Sequence, residues 1–199
     1  FRNLGKDSKK VDFLRGYGYQ GGAGRGNWTQ AVSELAYGKD FKNSILEAGG
    51  WSLGMGGFGE VLPYHENKMF LNYDKLDQYG LPTIVFDAEF KENERIMKED
   101  WKVQAAEMLE DAGFKEVTIF DSNAPIGKGI HEMGTARMGK SPKTSVLNKH
   151  NQIHGVANVF VTDGACMTSS ANQNPSLTYM ALTARAANYA VSELKKQNL

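Results

Sequence analysis

An excess of either charge is missing from this sequence. Its 199 residues carry 23 lysines and arginines against 23 aspartates and glutamates. With no net field, nothing argues for nucleic acid, an anionic membrane surface or an acidic partner. No apolar run approaches the ~18 residues that suggest a membrane span, so none is expected in this region. The single cysteine, Cys166, rules out an internal disulfide. It leaves the compartment open, a periplasmic location included, because exported bacterial proteins often lack disulfides too. The first residues, Phe1-Arg2-Asn3-Leu4-Gly5, contain neither an initiator Met nor a charged-then-apolar leader, and read as the interior of a longer chain. Internal repeats and low-complexity stretches are also missing. So is a Gly-x-Ser-x-Gly elbow, which leaves the common serine hydrolase reading without support.

What is present is ordinary globular composition, 41% hydrophobic and 23% charged, enough for one core or a core plus a smaller lobe. Residues 1–60 are rich in glycine and aromatics, notably Gly16 to Gly22 and Gly54 to Gly59. That mixture suits strands and close backbone approach better than helices. Short strands are expected at Gly59–Leu62, Lys68–Asn72, Thr83–Phe90 and Val117–Phe120, with a buried strand at Val156–Thr162. A helix is expected over about 92–112, with Met97, Trp101, Ala105, Met108, Leu109 and Ala112 on one stripe and Gly113 as its stop. A second is expected over about 175–195, with Asn174 as N-cap and Pro175 at the first helical position. Its expected buried stripe is Leu177, Ala181, Ala184, Ala187, Val191 and Leu194. The fold class is α+β: an antiparallel sheet with packed helices over 1–125, then a C-terminal strand–loop–helix over 126–199.

Several motifs compete for a chemical role. Gly16-x-Gly18-x-x-Gly21 matches the dinucleotide fingerprint as text, but no helix pattern opens at its third glycine, so a glycine-rich strand is the better account. His150-x-x-x-His154 has a metal-usable spacing, but Asn151, Gln152 and Gly155 argue against a helix and no third ligand is near, so no metal is expected. Cys166, between Ala165 and Met167, reads as a small buried residue. The segment from Gly129 to Gly139 is different in kind. Its histidine, His131, is followed by closely spaced glycines, a threonine and an arginine with no hydrophobic period, as befits a loop devoted to backbone geometry and polar groups. A second such stretch runs from Asp163 to Thr178, where a polar loop feeds a helix N-terminus, a favoured place for negative charge. Capping alone, however, would explain Asn174.

Taken in order, His131-Glu-Met-Gly-Thr-Ala-Arg-Met-Gly139, Asn158-Val-Phe-Val-Thr-Asp-Gly164 and Asn174-Pro-Ser-Leu-Thr-Tyr-Met-Ala-Leu-Thr-Ala-Arg185 resemble the C-terminal signature of the glucose–methanol–choline (GMC) oxidoreductases. Glu60 to Pro63, Glu66-Asn67, Gly80 to Pro82 and Asn93-Glu94 resemble the sugar-dehydrogenase branch, so the likeness covers about 55–195. The resemblance implies an FAD-dependent enzyme oxidising a CH–OH group of a sugar, glycoside or polyol. A glycoside 3-dehydrogenase is the first expectation, and gluconate or another polyol as donor the second. It implies that His131 takes the hydroxyl proton, which suits the side chain whose ordinary titration lies nearest neutrality. Asn174 stands where the family has a histidine or asparagine that pairs with the same hydroxyl. It implies FAD contacts for Asp163, Gly164, Ala165, Asn174, Pro175 and Thr178, with the C-terminal segment closing the FAD domain. Tyr17, Tyr19, Trp28 and Trp51 are candidates to stack on a sugar ring. The family's own dinucleotide fingerprint is not in this sequence. The partner is therefore expected to be an N-terminal FAD-binding domain of the same chain, with room for an electron-acceptor subunit, and the segment alone is expected to be inactive and to bind FAD poorly. A noncatalytic carbohydrate-binding module is the rival reading, resting on aromatic and glycine content alone.

Overall fold

The computed structural model describes residues 11–25, 37–46 and 49–199. Chain contacts divide it into two compact units, Phe1–Asp121 and Ser122–Leu199.

In the first unit, strand β1 (Tyr17–Arg25) pairs antiparallel with β2 (Trp51–Gly59), in continuous register from Tyr17 opposite Gly59 to Arg25 opposite Trp51. Strand β1 runs through the Gly16-x-Gly18-x-x-Gly21 text, so no helix opens there to receive a pyrophosphate. A short helix α1 (Gly38–Ser44) lies between the two strands in sequence. Strands β3 (Lys68–Leu76) and β4 (Pro82–Asp87) form a separate antiparallel pair, irregular between Asn72 and Leu76. The described residues thus contain two small antiparallel sheets rather than one larger one.

Helix α2 (Glu92–Asp111) packs on β2. The strand is glycine-rich where the helix crosses it because there is no room for side chains. A Cβ on Gly57 would stand 3.0 Å from the Trp101 indole, and one on Gly59 would stand 2.5 Å from that ring and 2.7 Å from Met97 Cε. Phe13 and Met97 are buried there, with Tyr17 edge-on to Trp101 at 5.9 Å between ring centroids. The start of α2 is held by Glu94, a buried carboxylate. It accepts from the backbone N–H of Leu62 at 3.0 Å, the Tyr64 hydroxyl at 3.3 Å, Asn93 Nδ2 at 3.2 Å and the Lys91 N–H at 3.0 Å. Burying that carboxylate is tolerable because four donors satisfy it. The expected apolar stripe of α2 is covered in part, with Leu109 half-buried toward its C-terminal end. Met97 is buried and Trp101 and Ala105 are half-buried, while Met108 and Ala112 face solvent.

Three expected strands are absent. Of Gly59–Leu62 only Gly59 is in a strand, as the last residue of β2, and the Leu62 N–H goes to Glu94 rather than to a ladder partner. Val117–Phe120 has no ladder partner among the described residues, and the segment is tied back to α2 through Asp121, which receives Lys98 at 2.7 Å and Lys102 at 3.1 Å. Val156–Thr162 is a half-exposed loop with one isolated bridge, Gln152 to Phe160. Here the fully buried Asn151 takes the place of a neighbouring strand. Its carbonyl accepts from the Val161 N–H at 2.9 Å and its amide donates to the Val161 carbonyl at 3.0 Å.

The second unit is loops folded against helix α3 (Ser176–Lys195). Its core is Leu147, Asn151, Cys166 and Ala186. The helix presents the face opposite to the one expected. Leu177 (79%), Val191 (52%) and Leu194 (62%) of the expected stripe are exposed, and Ala181, Ala184 and Ala187 with them. The inward face carries Ala186, where loops come close, flanked by half-buried Tyr179 and Tyr189. Tyr189 stacks on the His150 ring at 3.9 Å and meets Phe160 edge-on.

Candidate active site

Around His131 the backbone is shaped by turns. Gly127 has φ +87° and Ile130, unusually for a β-branched residue, has φ +68°. Glu132 Oε1 accepts the Gly129 N–H at 2.9 Å and closes this turn. The segment then runs beside residues 163–168. The Ala136 N–H donates to the Ala165 carbonyl at 3.0 Å, and the Met138 N–H to the Cys166 carbonyl at 2.9 Å. Gly134 (φ +89°) supplies the left-handed turn that brings them together.

Asp163 Oδ1 accepts the Ala165 N–H at 2.9 Å, capping a short 3₁₀ turn, Gly164–Cys166. Gly164 lies against two other segments at once. A Cβ there would be 2.9 Å from the Tyr179 hydroxyl and 3.0 Å from the Glu132 carbonyl. Tyr179 completes the joint, its hydroxyl 3.6 Å from Met133 Sδ. Burial pushes the Tyr179 phenol up, with Cys166 and Asp163 adding to it, which keeps it a donor. Burial likewise pushes up the Cys166 thiol, consistent with a packing role.

Asn174 does not cap α3. Pro175 occupies the cap position, no side chain bonds there, and the first helical bond runs from Tyr179 N–H to the Pro175 carbonyl at 3.1 Å. The Asn174 amide instead faces the imidazole: its Oδ1 lies 3.2 Å from His131 Nε2. The N–H groups of Ser176, Leu177 and Thr178 precede that first bond and carry the positive end of the helix dipole.

The structure therefore brings His131, Asn174, Gly164 and the start of α3 into one cluster within the second unit. The expected sugar-stacking residues belong to the first unit. There, local packing engages two of them: the Tyr17 hydroxyl donates to Asp100 Oδ2 at 2.6 Å and the Tyr19 hydroxyl to the Trp101 carbonyl at 2.7 Å. Trp51 is exposed, with the Arg25 guanidinium 5.5 Å from its ring centre. Trp28 lies outside the described residues. Sequence reasoning missed Tyr179, whose only signal was its place one helical turn beyond Pro175. Of the spaced histidines, His150 stacks on Tyr189 and His154 Nε2 meets Ser145 Oγ at 3.1 Å. Among the described residues no three His, Cys, Asp or Glu side chains cluster as metal ligands would.

Comparison with known proteins bears on this cluster. The family model described as GMC oxidoreductase matches residues 63–183, more than half of the chain and the whole of the His131 to Asn174 region. The chain is 34% identical over 185 residues to 2-methyl-1,2-propanediol dehydrogenase of Mycolicibacterium austroafricanum, covering 89% of this chain and 33% of that protein. It is 29% identical over 140 residues to the fructose dehydrogenase large subunit of Gluconobacter japonicus, covering 69% of this chain and 25% of the other. It is 24% identical over 154 residues to the gluconate 2-dehydrogenase flavoprotein of Pantoea cypripedii, covering 74% and 25%. The chain spans a third or less of the length of these relatives, and over that span it belongs to the GMC oxidoreductase family.

Proposed function

We propose that the complete protein is an FAD-dependent oxidoreductase acting on a CH–OH group, in which His131 removes the hydroxyl proton and Asn174 orients the hydroxyl. The observation that carries this reading is the 3.2 Å approach of His131 Nε2 to Asn174 Oδ1, across 43 residues of sequence and at the start of a helix the asparagine does not cap. An asparagine needed only for capping would have turned its oxygen to the helix N–H groups.

The contact has two chemical assignments, because amide O and N exchange by rotation about the side chain. Either Nε2–H donates to Oδ1, or Nδ2–H donates to an unprotonated Nε2. In the second the amide N–H engages the Nε2 lone pair, and an alcohol inserting between the two would replace that bond. An alcohol entering there would give its proton to Nε2 while its oxygen accepts from Nδ2, so that two bonds fix the direction of its C–H. Asparagine does not titrate, so the pair holds a single base.

The residues present fit a flavin. The N–H groups of Ser176, Leu177 and Thr178 lead the helix with no side-chain cap, which suits a group that takes on negative charge. The residues that would hold FAD are Asp163, Gly164, Ala165, Asn174, Pro175 and Thr178. A flavin bound there would supply the hydride acceptor. The helix end stabilises negative charge placed on it, and His131 takes up the proton released at the same time.

A sugar, glycoside or polyol is the proposed donor, supported by relatives named for fructose, gluconate and a diol. A separate electron-accepting subunit is part of the proposal, supported by the relative named as a large subunit. The test uses the full-length protein, purified and scanned for flavin absorbance. The expected result is a yellow protein bleached anaerobically by members of a sugar, glycoside and polyol panel. A colourless protein that cannot be reconstituted with FAD would refute the proposal.

A further inference from the structure

An open cavity of about 480 Å³ lies among the loops of the second unit, apart from the contact between His131 and Asn174. Four of its lining side chains are Lys140, Lys149, His154 and Arg185. The others, Met138, Gly139 and Asn148, are neutral, so no acidic residue faces the space. Nor does a carboxylate pair with Lys140, Lys149 or Arg185 from elsewhere among the described residues.

Arg185 is the built part of this site. Its Nη2 donates to Asn151 Oδ1 at 3.0 Å, and Asn151 is fully buried and fixed to both sides of Val161. Nη2 is thus anchored, on the rigid amide and on Met138 Sδ at 3.5 Å, and the guanidinium so held lines the cavity. A fork held this way loses little conformational entropy when it grips a planar or tetrahedral oxyanion. His154 is fixed as well, through Ser145 Oγ, which also donates to the Ser141 carbonyl at 2.8 Å. The uncompensated charge is felt next door. After burial, Lys149 and Arg185 are the main influences pushing His150 below its ordinary value, opposed only by Glu193.

We propose that this cavity binds a small oxyanion, the phosphate or carboxylate group of a small molecule, between Arg185, Lys140 and Lys149. An oxyanion matches the geometry because a fixed fork supplies paired N–H donors while the two lysines supply movable point charges around them.

The test is thermal denaturation of the full-length, flavin-loaded protein titrated with inorganic phosphate, with citrate, and with potassium chloride at matched ionic strength. The double variant Lys140→Gln/Lys149→Gln, whose side chains form no ion pair among the described residues, is titrated alongside. The expected result is a saturable rise in melting temperature with phosphate or citrate but not with chloride. Its half-point should move up roughly 10- to 100-fold in the double variant, as loss of charged hydrogen bonds implies. A response to phosphate alone identifies a phosphate site and a response to citrate alone a carboxylate site; either upholds the proposal. Equal responses to all three salts, or an unchanged half-point in the double variant, would overturn it. So would loss of flavin from the double variant, because the cavity's anion would then be the cofactor's own phosphate. Flavin content and turnover are therefore measured on the same samples, which separates failure of this proposal from failure of the flavin reading.

Discussion

An asparagine ahead of a proline-started helix has two uses for its amide: to cap the helix, or to face another group. Asn174 faces His131, and that difference is measurable. Removing a capping asparagine costs about 1 kcal/mol. With no cap to lose, Asn174→Ala should change the unfolding free energy of the intact protein by less than about 0.5 kcal/mol by urea titration, a cost below that of a lost cap. It should slow flavin reduction on the order of 10²-fold, the effect of losing orientation of the reacting group. A second residue-scale prediction concerns Tyr17. Burial, then its bond to Asp100, raises its phenol above the ordinary tyrosine value. The folded state therefore holds this proton more tightly than the unfolded chain. The stability it confers is complete below the ordinary value and is lost as pH rises through the folded one. In urea midpoints measured between about pH 9 and 12, Tyr17→Phe should show a shallower alkaline loss than the parent. His131 and Asn174 were legible in the sequence as members of motifs. What they do to each other was not, because nothing in Asn174-Pro175 says which way the amide turns.

At the scale of elements, the long helices were legible from period and punctuation, but their buried faces only in part. Helix α3 is apolar on both sides, so counting at helical spacing could not choose between the Leu177–Val191 stripe and the Tyr179–Ala186 one. Packing chose, through the close approach of loops at Ala186 and the stacking of Tyr189 on His150. Helix α2 shows the converse. The glycines of β2, which the sequence marks as suited to strands and close backbone approach, are a steric requirement in the fold, since the Trp101 ring rests on them. Gly59→Ala should destabilise the first unit by about 1–3 kcal/mol, as overpacking does, read as a lower urea midpoint. Gly24→Ala, with open space at its Cβ position, should cost less. The absent strands failed for a related reason: apolar alternation names a segment that could pair, while a ladder also needs a neighbour. At Val156–Thr162, a single buried asparagine, Asn151, took that place.

For the whole molecule, the described residues hold two two-stranded sheets where one sheet was expected. Isolated hairpins are marginal in water, and β3 and β4 expose Tyr73, Ile84 and Phe86. Which strands share a sheet is a long-range matter that periodicity does not encode. No helix among the described residues is long and apolar enough to cross a membrane. The family match over residues 63–183 spans both the His131 loop and the Asn174 helix start, a pairing for which a carbohydrate-binding module gives no reason. The central claim is that His131 is the base. Its most direct test is anaerobic stopped-flow reduction of the flavin in full-length protein carrying His131→Ala, with a donor that bleaches the parent. Flavin absorbance should be retained and the reduction rate should fall by roughly 10²–10⁴, whereas a rate close to that of the parent would rule out His131 as the base.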